Sequence, residues 1–222
     1  MKAFILGAGK GKRLRPLTES TPKPLIRIAD KTLLQYHLER LKDAGIDEVM
    51  VNVSYRMEEF QREQKNLEEQ GFRINLSYEE ELLGTGGGIG KVIDFFEGEE
   101  FVLLSSDVWT EFRLNQLTLD DSFLAHMILV ENSELNPGGD VSLVKKVVSP
   151  VKKGESFSFG GVALIHPDLF KGQVKDSYDL WERILKPAAL KSRVSGQVYE
   201  GKHININTVG DLQKIDGYAP EE

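Results

Sequence analysis

The chain has 222 residues, of which 40% are hydrophobic and 28% charged, so it can bury a core and has the size of one ordinary α/β domain. Its formal net charge of -7 gives no general attraction to nucleic acid or anionic membranes, so any phosphate must be bound by local cations and backbone amides. The sequence contains no cysteine, which excludes disulfides and thiolate metal sites, and no apolar run of the ~20 residues that span a bilayer, so we expect a soluble cytoplasmic protein.

The first half of the chain alternates apolar runs with stretches of helical spacing. Strands are predicted at Lys2–Leu6, Glu48–Val53, Ile74–Tyr78 and Phe101–Ser105. Helices are predicted at Leu33–Ala44, at Met57–Glu69, and after a glycine-rich segment at Gly84–Gly88. This order is typical of an α/β fold with a mostly parallel sheet and helices on both faces.

The second half has a looser pattern. Strands are predicted at Ala125–Val130, Phe159–Ile165, Gly196–Glu200 and His203–Ile206. A helix at Tyr178–Leu190 is interrupted by Pro187, and Thr208 can cap a short final helix. The segment Asn136–Glu155 is predicted to be a loop or weak hairpin over the site. Because no repeat or interdomain linker is found, residues 1–222 are predicted to form a single domain.

A glycine-rich turn with neighbouring cations follows the first strand. Three glycines, Gly7, Gly9 and Gly11, allow the backbone to approach a phosphate, and the cations Lys12, Arg13, Arg15 and Lys23 follow. The dinucleotide pattern needs glycine at position 12, and the P-loop pattern fails at positions 6 and 13. The alternatives are therefore a different triphosphate-binding loop or a plain strand-to-helix turn.

The segment GAGKGKRLRPLTESTPKPLIRI resembles the signature of the sugar-1-phosphate nucleotidyltransferases. The resemblance implies a Rossmann-like nucleotidyltransferase fold with a mixed, mostly parallel sheet flanked by helices. It also implies that Arg13 contacts the β- and γ-phosphates and that Lys23 stabilises charge at the α-phosphate. The residues expected to bind the nucleotide here are Leu6, Gly7, Ala8, Gly9, Lys10, Gly11 and Lys12.

The second glycine-rich segment, Gly84–Gly88, has two interpretations. It can be a helix start that allows close packing, or a wall of the nucleobase site. The family resemblance favours the base site and assigns Glu79, Gly84, Thr85 and Gly86 to it. Many relatives place a base-reading glutamine near positions 79 to 81, where this chain has glutamates, so the identity of the base stays open.

A carboxylate, Asp107, stands just beyond the apolar strand that ends at Ser105. Ligands of open α/β sheets gather at this end of the strands, and a carboxylate there can hold Mg²⁺ or merely cap a turn. The resemblance makes Asp107 a catalytic metal ligand and aligns Asn205 with the second metal-binding aspartate. Asn205 offers a neutral oxygen, so we expect weaker metal binding and slower chemistry. Ser106 replaces a glycine of the family pattern.

The segment FGGVALIHP resembles the sugar-binding strand of the family, in which Gly160 and Gly161 let the sugar lie against the sheet; tight β packing is the alternative. Asp140 is a further sugar-binding candidate. The resemblance divides the chain into a nucleotide-binding half, 1–110, and a sugar-phosphate-binding half, 111–222. The four histidines show no metal-ligand spacing, and His37 is expected to be structural.

The segments SSDVWT, GTGGG, FGGVALIHP and SGQVYEG together resemble the N-acetylmuramate-1-phosphate uridylyltransferases of cell-wall recycling. Enzymes similar to mannose-1-phosphate guanylyltransferases or glucose-1-phosphate thymidylyltransferases remain open, as does a non-catalytic sugar-nucleotide sensor. A dehydrogenase is disfavoured by Lys12. The expected partners are a nucleoside triphosphate and a sugar 1-phosphate, without nucleic acid or membrane, and the expected state is a monomer or weak homodimer.

Overall fold

The computed structural model describes residues 1–151 and 154–216, which form thirteen strands and six α-helices. The strands are β1 Lys2–Leu6, β2 Arg27–Ile28, β3 Lys31–Thr32, β4 Glu48–Val53, β5 Arg73–Tyr78, β6 Phe101–Ser105, β7 Val108–Thr110, β8 Ala125–Val130, β9 Val141–Val144, β10 Val147–Ser149, β11 Ser156–Ile165, β12 Val194–Val198 and β13 His203–Asn205. The helices are α1 Leu17–Ser20, α2 Leu33–Asp43, α3 Met57–Glu69, α4 Gly84–Lys91, α5 Lys186–Leu190 and α6 Val209–Asp216.

One nine-stranded mixed sheet organises the fold, in the order β5-β4-β1-β6-β11-β8-β12-β10-β9. The first four strands of this order are parallel, whereas β11 runs antiparallel to both β6 and β8. Strand β9 also pairs with β11, so that the strands β11, β8, β12, β10 and β9 close on themselves. The predicted α/β fold with a mixed sheet is confirmed, although only four of the nine strand pairings in this sheet are parallel.

The apolar runs of the central strands reflect burial on both faces of the sheet. In β1, Phe4 belongs to one buried cluster and its neighbours Ala3 and Ile5 belong to another. Side chains alternate between faces, so a strand covered on both sides must be apolar throughout. Helix α2 covers the second face through Leu34, Leu38 and Leu41, which recur at helical spacing.

A third, smaller apolar cluster joins the two ends of the chain. Leu14 and Ile28 from the N-terminal region pack with Ile206, Leu212 and Ile215. The predicted cap is confirmed at the start of α6: Thr208 Oγ1 accepts from the Asp211 N–H at 3.3 Å, and Asp211 Oδ2 in turn accepts from the Thr208 N–H at 2.9 Å. This packing holds β13 beside β7, and both strands adjoin the turn that carries Asp107.

Two predicted segments take a different form. The glycines of Gly84–Gly88 lie inside α4 and do not precede it. Three of them, Gly84, Gly86 and Gly87, pack closely against residues 176–180, whereas Gly88 packs against Asn52 and Glu79. The segment Asn136–Glu155 forms the β9–β10 hairpin and joins the main sheet instead of covering the cleft; its residues 152 and 153 lie outside the described ones. No helix among residues 1–151 and 154–216 has the length and apolar character needed to cross a bilayer.

Candidate active site

A cleft of about 470 Å³ opens at the carboxyl ends of the parallel strands β5, β4, β1 and β6. Loops that leave these strands all emerge at the same edge of the sheet, which is where ligands of such folds bind. The lining residues are Leu6, Ala8, Gly9, Gly11, Lys12, Arg13, Leu14, Lys23, Asn52, Glu79, Leu82, Gly84, Thr85, Ser105, Ser106 and Asp107.

The three glycines of the first loop differ in what a side chain at each position would meet. A Cβ on Gly7 would lie 2.8 Å from the Asn52 carbonyl oxygen, so there is no room for a side chain at the position where the loop follows β1. Gly11 has φ +57°, and a Cβ there would lie 2.8 Å from Thr18 Cγ2. A Cβ on Gly9 would meet nothing within 4 Å, so this backbone faces open space in the cleft.

The structure separates the predicted phosphate-binding residues into two groups. Leu6, Ala8, Gly9, Gly11 and Lys12 line the cleft together with Arg13. Gly7 and Lys10 do not line it, and the Gly7 N–H already donates to Asn52 Oδ1 at 2.8 Å. Arg15 also lies outside the lining.

Positive charge enters the cleft from Lys12, Arg13 and Lys23. Lys12 and Arg13 are exposed, and no ion pair of either is found in the part of the chain that the structure describes. Lys23 is 8% exposed, and its Nζ donates to Asp107 Oδ2 at 2.9 Å. Lys23 begins a short 3₁₀ turn, Lys23–Leu25, and lies between Pro22 and Pro24, which restrict its backbone.

Asp107 lies in the turn between β6 and β7. Its carbonyl oxygen accepts a 2.7 Å hydrogen bond from Ile206 N–H, and Asn205 stands directly opposite Val108 in the β7–β13 ladder. The backbone of Asn205 is therefore next to that of Asp107, but the exposed Asn205 is not among the residues that line the cleft, whereas Asp107 is. Ser106 is 6% exposed and lines the cleft.

The Asp107 carboxylate and the Asn205 side-chain oxygen are both of the chemistry that Mg²⁺ prefers. Within residues 1–151 and 154–216, no group of three or more His, Cys, Asp or Glu side chains forms a metal site. Two protein ligands suit Mg²⁺ bound mainly through phosphate oxygens and water, not an all-protein cage.

The second glycine segment faces the cleft only through its first two residues. Gly84 and Thr85 line the cleft, and Gly84 has φ +71°. Gly86 does not line it: its N–H donates to the Tyr178 carbonyl at 3.0 Å, and a Cβ there would lie 2.5 Å from the Tyr178 ring. The close-packing interpretation therefore describes the buried glycines of α4.

Glu79 lines the cleft but is only 1% exposed. Its Oε1 accepts from Asn52 Nδ2 at 2.7 Å, and its Oε2 accepts from Leu83 N–H at 3.0 Å. Sequence reasoning missed Asn52, although one signal was available: it is a polar residue near the end of the otherwise apolar strand β4 after Glu48.

None of the predicted sugar-binding residues lines this cleft. Gly161 has φ +69° and lies in a bulge of β11, where a Cβ would be 2.5 Å from Val108 Cγ2 and 3.1 Å from Ser105 Oγ. A Cβ on Gly160 would lie 3.0 Å from the Ile128 carbonyl oxygen. Asp140 is exposed, and its Oδ2 accepts from Phe159 N–H at 2.8 Å.

Two largely buried histidines, His37 and His203, interact electrostatically with Arg40 and with Asp107. Burial, and to a smaller extent the nearby Arg40, lower the pKa of His37 and of His203 to about 4, whereas the charge of Asp107 acts in the opposite direction. Burial also lowers the pKa of Arg40 to about 10, and this guanidinium donates to the Phe112 carbonyl at 2.7 Å. His37 is 3% exposed, as expected for a structural residue, and both histidines are neutral at pH 7.

The chain is similar to known nucleotidyltransferases over nearly its whole length. A family model described as nucleotidyl transferase matches residues 2–125. N-acetylmuramate alpha-1-phosphate uridylyltransferase of Neisseria meningitidis serogroup B is 34% identical over 99% of this chain and 98% of its own length. D-glycero-alpha-D-manno-heptose 1-phosphate guanylyltransferase of Campylobacter jejuni is 31% identical over 95% of this chain and 96% of its own.

The fold is also similar to solved structures. HddC from Yersinia pseudotuberculosis, complexed with GMP-PN, superimposes with a TM-score of 0.79 over 98% of this chain and 98% of its own. Its sequence identity to this chain is 21%, so the likeness concerns the fold alone.

Proposed function

The chain belongs to the nucleotidyl transferase family, and we propose that it transfers a nucleotidyl group from a nucleoside triphosphate to a sugar 1-phosphate, releasing pyrophosphate. The observation that carries this proposal is the ion pair between Lys23 and Asp107, which lies in the same cleft as the glycine loop. A cation for the transferred phosphate and a carboxylate for the metal are thereby adjacent, as a displacement at phosphorus requires.

The triphosphate is proposed to lie over the loop between Leu6 and Gly11. At Gly9 no protein atom fills the space beside the loop backbone. Arg13 and Lys12 add two cations, and among the described residues no carboxylate pairs with either of them. A nucleoside triphosphate carries about four negative charges, so cations held in a partly closed cleft favour its binding. Arg13 is assigned to the β- and γ-phosphates.

Asp107 and Asn205 are the residues proposed to hold Mg²⁺. When bound, Mg²⁺ neutralises charge on the triphosphate and on the departing pyrophosphate. The Asp107 carboxylate supplies the only formal negative charge of this pair, since the side chain of Asn205 is a neutral amide. Asn205 therefore sets how tightly the pair holds the ion.

The transfer step is a single displacement at the α-phosphorus. A phosphate oxygen of the sugar 1-phosphate forms a bond to this phosphorus, and the bond from phosphorus to the oxygen bridging the α- and β-phosphates breaks. That oxygen leaves with pyrophosphate. Lys23, held by Asp107 at 2.9 Å, is placed to stabilise the charge that develops on the α-phosphate oxygens.

The sugar 1-phosphate is proposed to enter from the side of Gly160 and Gly161, where the β11 bulge contacts Ser105 at the cleft edge. Asp140, which holds the Phe159 N–H, is assigned to the same side. On this proposal residues 1–110 bind the nucleotide and residues 111–222 bind the sugar phosphate. We propose that the protein acts in the cytoplasm, as a monomer or weak homodimer.

UTP and N-acetylmuramate 1-phosphate are the proposed substrate pair, and peptidoglycan recycling is the corresponding role. The support is the uridylyltransferase from Neisseria meningitidis, which matches this chain over nearly its entire length. A guanylyltransferase acting on a heptose 1-phosphate also aligns end to end, so GTP with another sugar 1-phosphate is the competing pair.

A second candidate function is a sugar-nucleotide-binding protein with impaired catalysis. The amide of Asn205 beside Asp107 favours it, because this donor set carries one formal charge less than two carboxylates would. A protein of this kind would bind the nucleotide in the same cleft and release pyrophosphate very slowly.

A pyrophosphate-release screen tests the proposed function. UTP, GTP, dTTP and CTP are each combined with the 1-phosphates of N-acetylmuramate, mannose and glucose in the presence of Mg²⁺. We expect UTP with N-acetylmuramate 1-phosphate to give the fastest release. If another pair gives faster release, the proposed substrates are wrong. If no pair releases pyrophosphate, the proposed nucleotidyl transfer activity is rejected.

A further inference from the structure

A chain of hydrogen bonds crosses the ends of three adjacent strands beneath the cleft. In the register of the sheet, Asn52 on β4 lies between Leu6 of β1 and Ser77 of β5. The Gly7 N–H donates to Asn52 Oδ1 at 2.8 Å, and Asn52 Nδ2 donates to Glu79 Oε1 at 2.7 Å. We call this pair the Asn52–Glu79 bridge.

The bridge also reaches the base-side segment of the cleft. Leu83 N–H donates to Glu79 Oε2 at 3.0 Å, immediately before Gly84 and Thr85, which line the cleft. The bridge therefore connects the backbone of the phosphate-binding loop to the backbone that precedes α4.

Because Asn52 and Glu79 are buried, each donor in this chain of hydrogen bonds must face an acceptor. Asn52 is 3% and Glu79 is 1% exposed, so water cannot replace a lost partner without rearrangement. A Cβ on Gly88 would lie 2.5 Å from Glu79 Oε1 and 2.8 Å from Asn52 Nδ2. Because residue 88 is a glycine, the side chains of Asn52 and Glu79 have room to form the bridge.

Both ends of the chain of bonds are backbone N–H groups, which can only donate. The Asn52 oxygen must face Gly7, so its amino group must face residue 79. Residue 79 then has to accept on both sides, from Asn52 and from Leu83. A carboxylate does this and a carboxamide does not, which explains a buried glutamate in a cleft for an anionic ligand.

We propose that Asn52 and Glu79 are positioning residues that hold the phosphate-binding loop at a fixed distance from the base-side segment. This inference rests on the proposed function, because it assigns the two ends of a nucleoside triphosphate to these two segments. A cleft already held in the binding geometry avoids the cost of ordering its loops when the nucleotide enters. Glu79 acts through the loops, since each of its oxygens already accepts from the protein, one from Asn52 and the other from Leu83.

Exchanging the amide and the carboxylate tests the inference. Glu79→Gln puts an amino group against a donor, and Asn52→Asp puts an oxygen against the Glu79 carboxylate. In the double variant N52D/E79Q, the new carboxylate at position 52 accepts from the Gly7 N–H and from the amino group of the new amide at position 79. The oxygen of that amide accepts from Leu83 N–H, so every donor again faces an acceptor.

The dissociation constant of the Mg²⁺ complex of each triphosphate is measured by calorimetry without sugar phosphate, starting with UTP. We expect each single variant to bind roughly 10-fold more weakly, and N52D/E79Q to return to within about 3-fold of wild type. In turnover assays the KM for the triphosphate should follow the same order, with kcat less affected. Asn75→Asp and Glu99→Gln change the same charges on exposed side chains and serve as controls.

Four outcomes would overturn the inference. A double variant that does not recover, or a single variant with a different preferred base, would make Glu79 a base-contacting residue. Single variants with a lower Tm and an unchanged dissociation constant would limit the bridge to the fold. If the wild type binds triphosphate but releases no pyrophosphate, only the proposed function is rejected, because the dissociation constants of the variants still test the positioning role. If the wild type binds no triphosphate, both the proposed function and this inference are overturned.

Discussion

Lys23 Nζ and Asp107 Oδ2 lie 2.9 Å apart, although the two residues are 84 positions apart in the chain. The Lys23 side chain is largely buried and that of Asp107 is about one third exposed. Their pairing places one cation and one carboxylate at the point where the glycine loop and the end of β6 meet. Substitutions at Lys23 and at Asn205, the residue beside Asp107, therefore test the chemistry of the cleft.

Replacing Lys23 with methionine should reduce kcat roughly 100- to 1,000-fold, because a preorganised cation at the transferred phosphate is lost. Binding of the triphosphate should weaken less, since Lys12 and Arg13 remain. Steady-state kinetics of pyrophosphate release measures both effects. Lys65→Met, an exposed position on α3, is the matched control. A K23M enzyme within about 3-fold of wild-type kcat would remove Lys23 from the mechanism.

Asn205→Asp should lower the Mg²⁺ concentration needed for half-maximal activity by several-fold, since it adds a second formal charge beside Asp107. Asn205 is exposed on β13, so the free energy of unfolding should hardly change. A magnesium titration of turnover, with excess EDTA as the zero point, measures the shift. A large rise in kcat would identify the wild type as a sluggish enzyme. A wild type that is already fast would exclude the sensor function.

Alanine at Gly9 and at Gly86 should have opposite effects. Gly86→Ala places a methyl group 2.5 Å from the Tyr178 ring, so it should lower the free energy of unfolding by about 1–3 kcal/mol. Gly9→Ala meets no protein atom within 4 Å, so stability should hold while triphosphate binding weakens. Urea unfolding and calorimetry on both variants provide the comparison. Equal loss of binding in the two would contradict the separation of packing and phosphate-binding glycines.

Stability should rise with pH between about 4 and 6.5 because of His37. Burial lowers its folded pKa from 6.5 to about 4, so in this window the unfolded chain binds more protons than the folded protein. The stabilisation is complete above pH 6.5 and is lost as the pH falls towards 4. For a group this buried, the shift corresponds to roughly 3 kcal/mol.

Urea unfolding of wild type and His37→Leu at pH 5 and pH 7 tests this expectation. The difference in unfolding free energy between the two pH values should be smaller in the leucine variant. His203 and His126, whose pKa values burial also lowers, are present in both proteins and cancel in the comparison. An identical pH dependence in the two proteins would show that His37 does not titrate in this range.

Local patterns in the sequence determined most of the elements and the edge of the sheet where the cleft lies. The strand Lys2–Leu6 and the helix Met57–Glu69 have the predicted bounds, because burial on both faces and helical periodicity are properties of neighbouring residues. Asp107 could be placed beyond β6 for the same reason: the carboxyl ends of parallel strands share one edge. The family motif is also local, being one continuous segment.

Only the tertiary structure decided which distant groups meet. The β7–β13 ladder brings Asn205 beside Asp107, and Tyr178 fills the space that Gly86 leaves open. The bridge between Asn52 and Glu79 depends on the register of β4 between β1 and β5. Such contacts are set by strand register and by the shape of the packed neighbour, which a residue's own sequence surroundings do not encode.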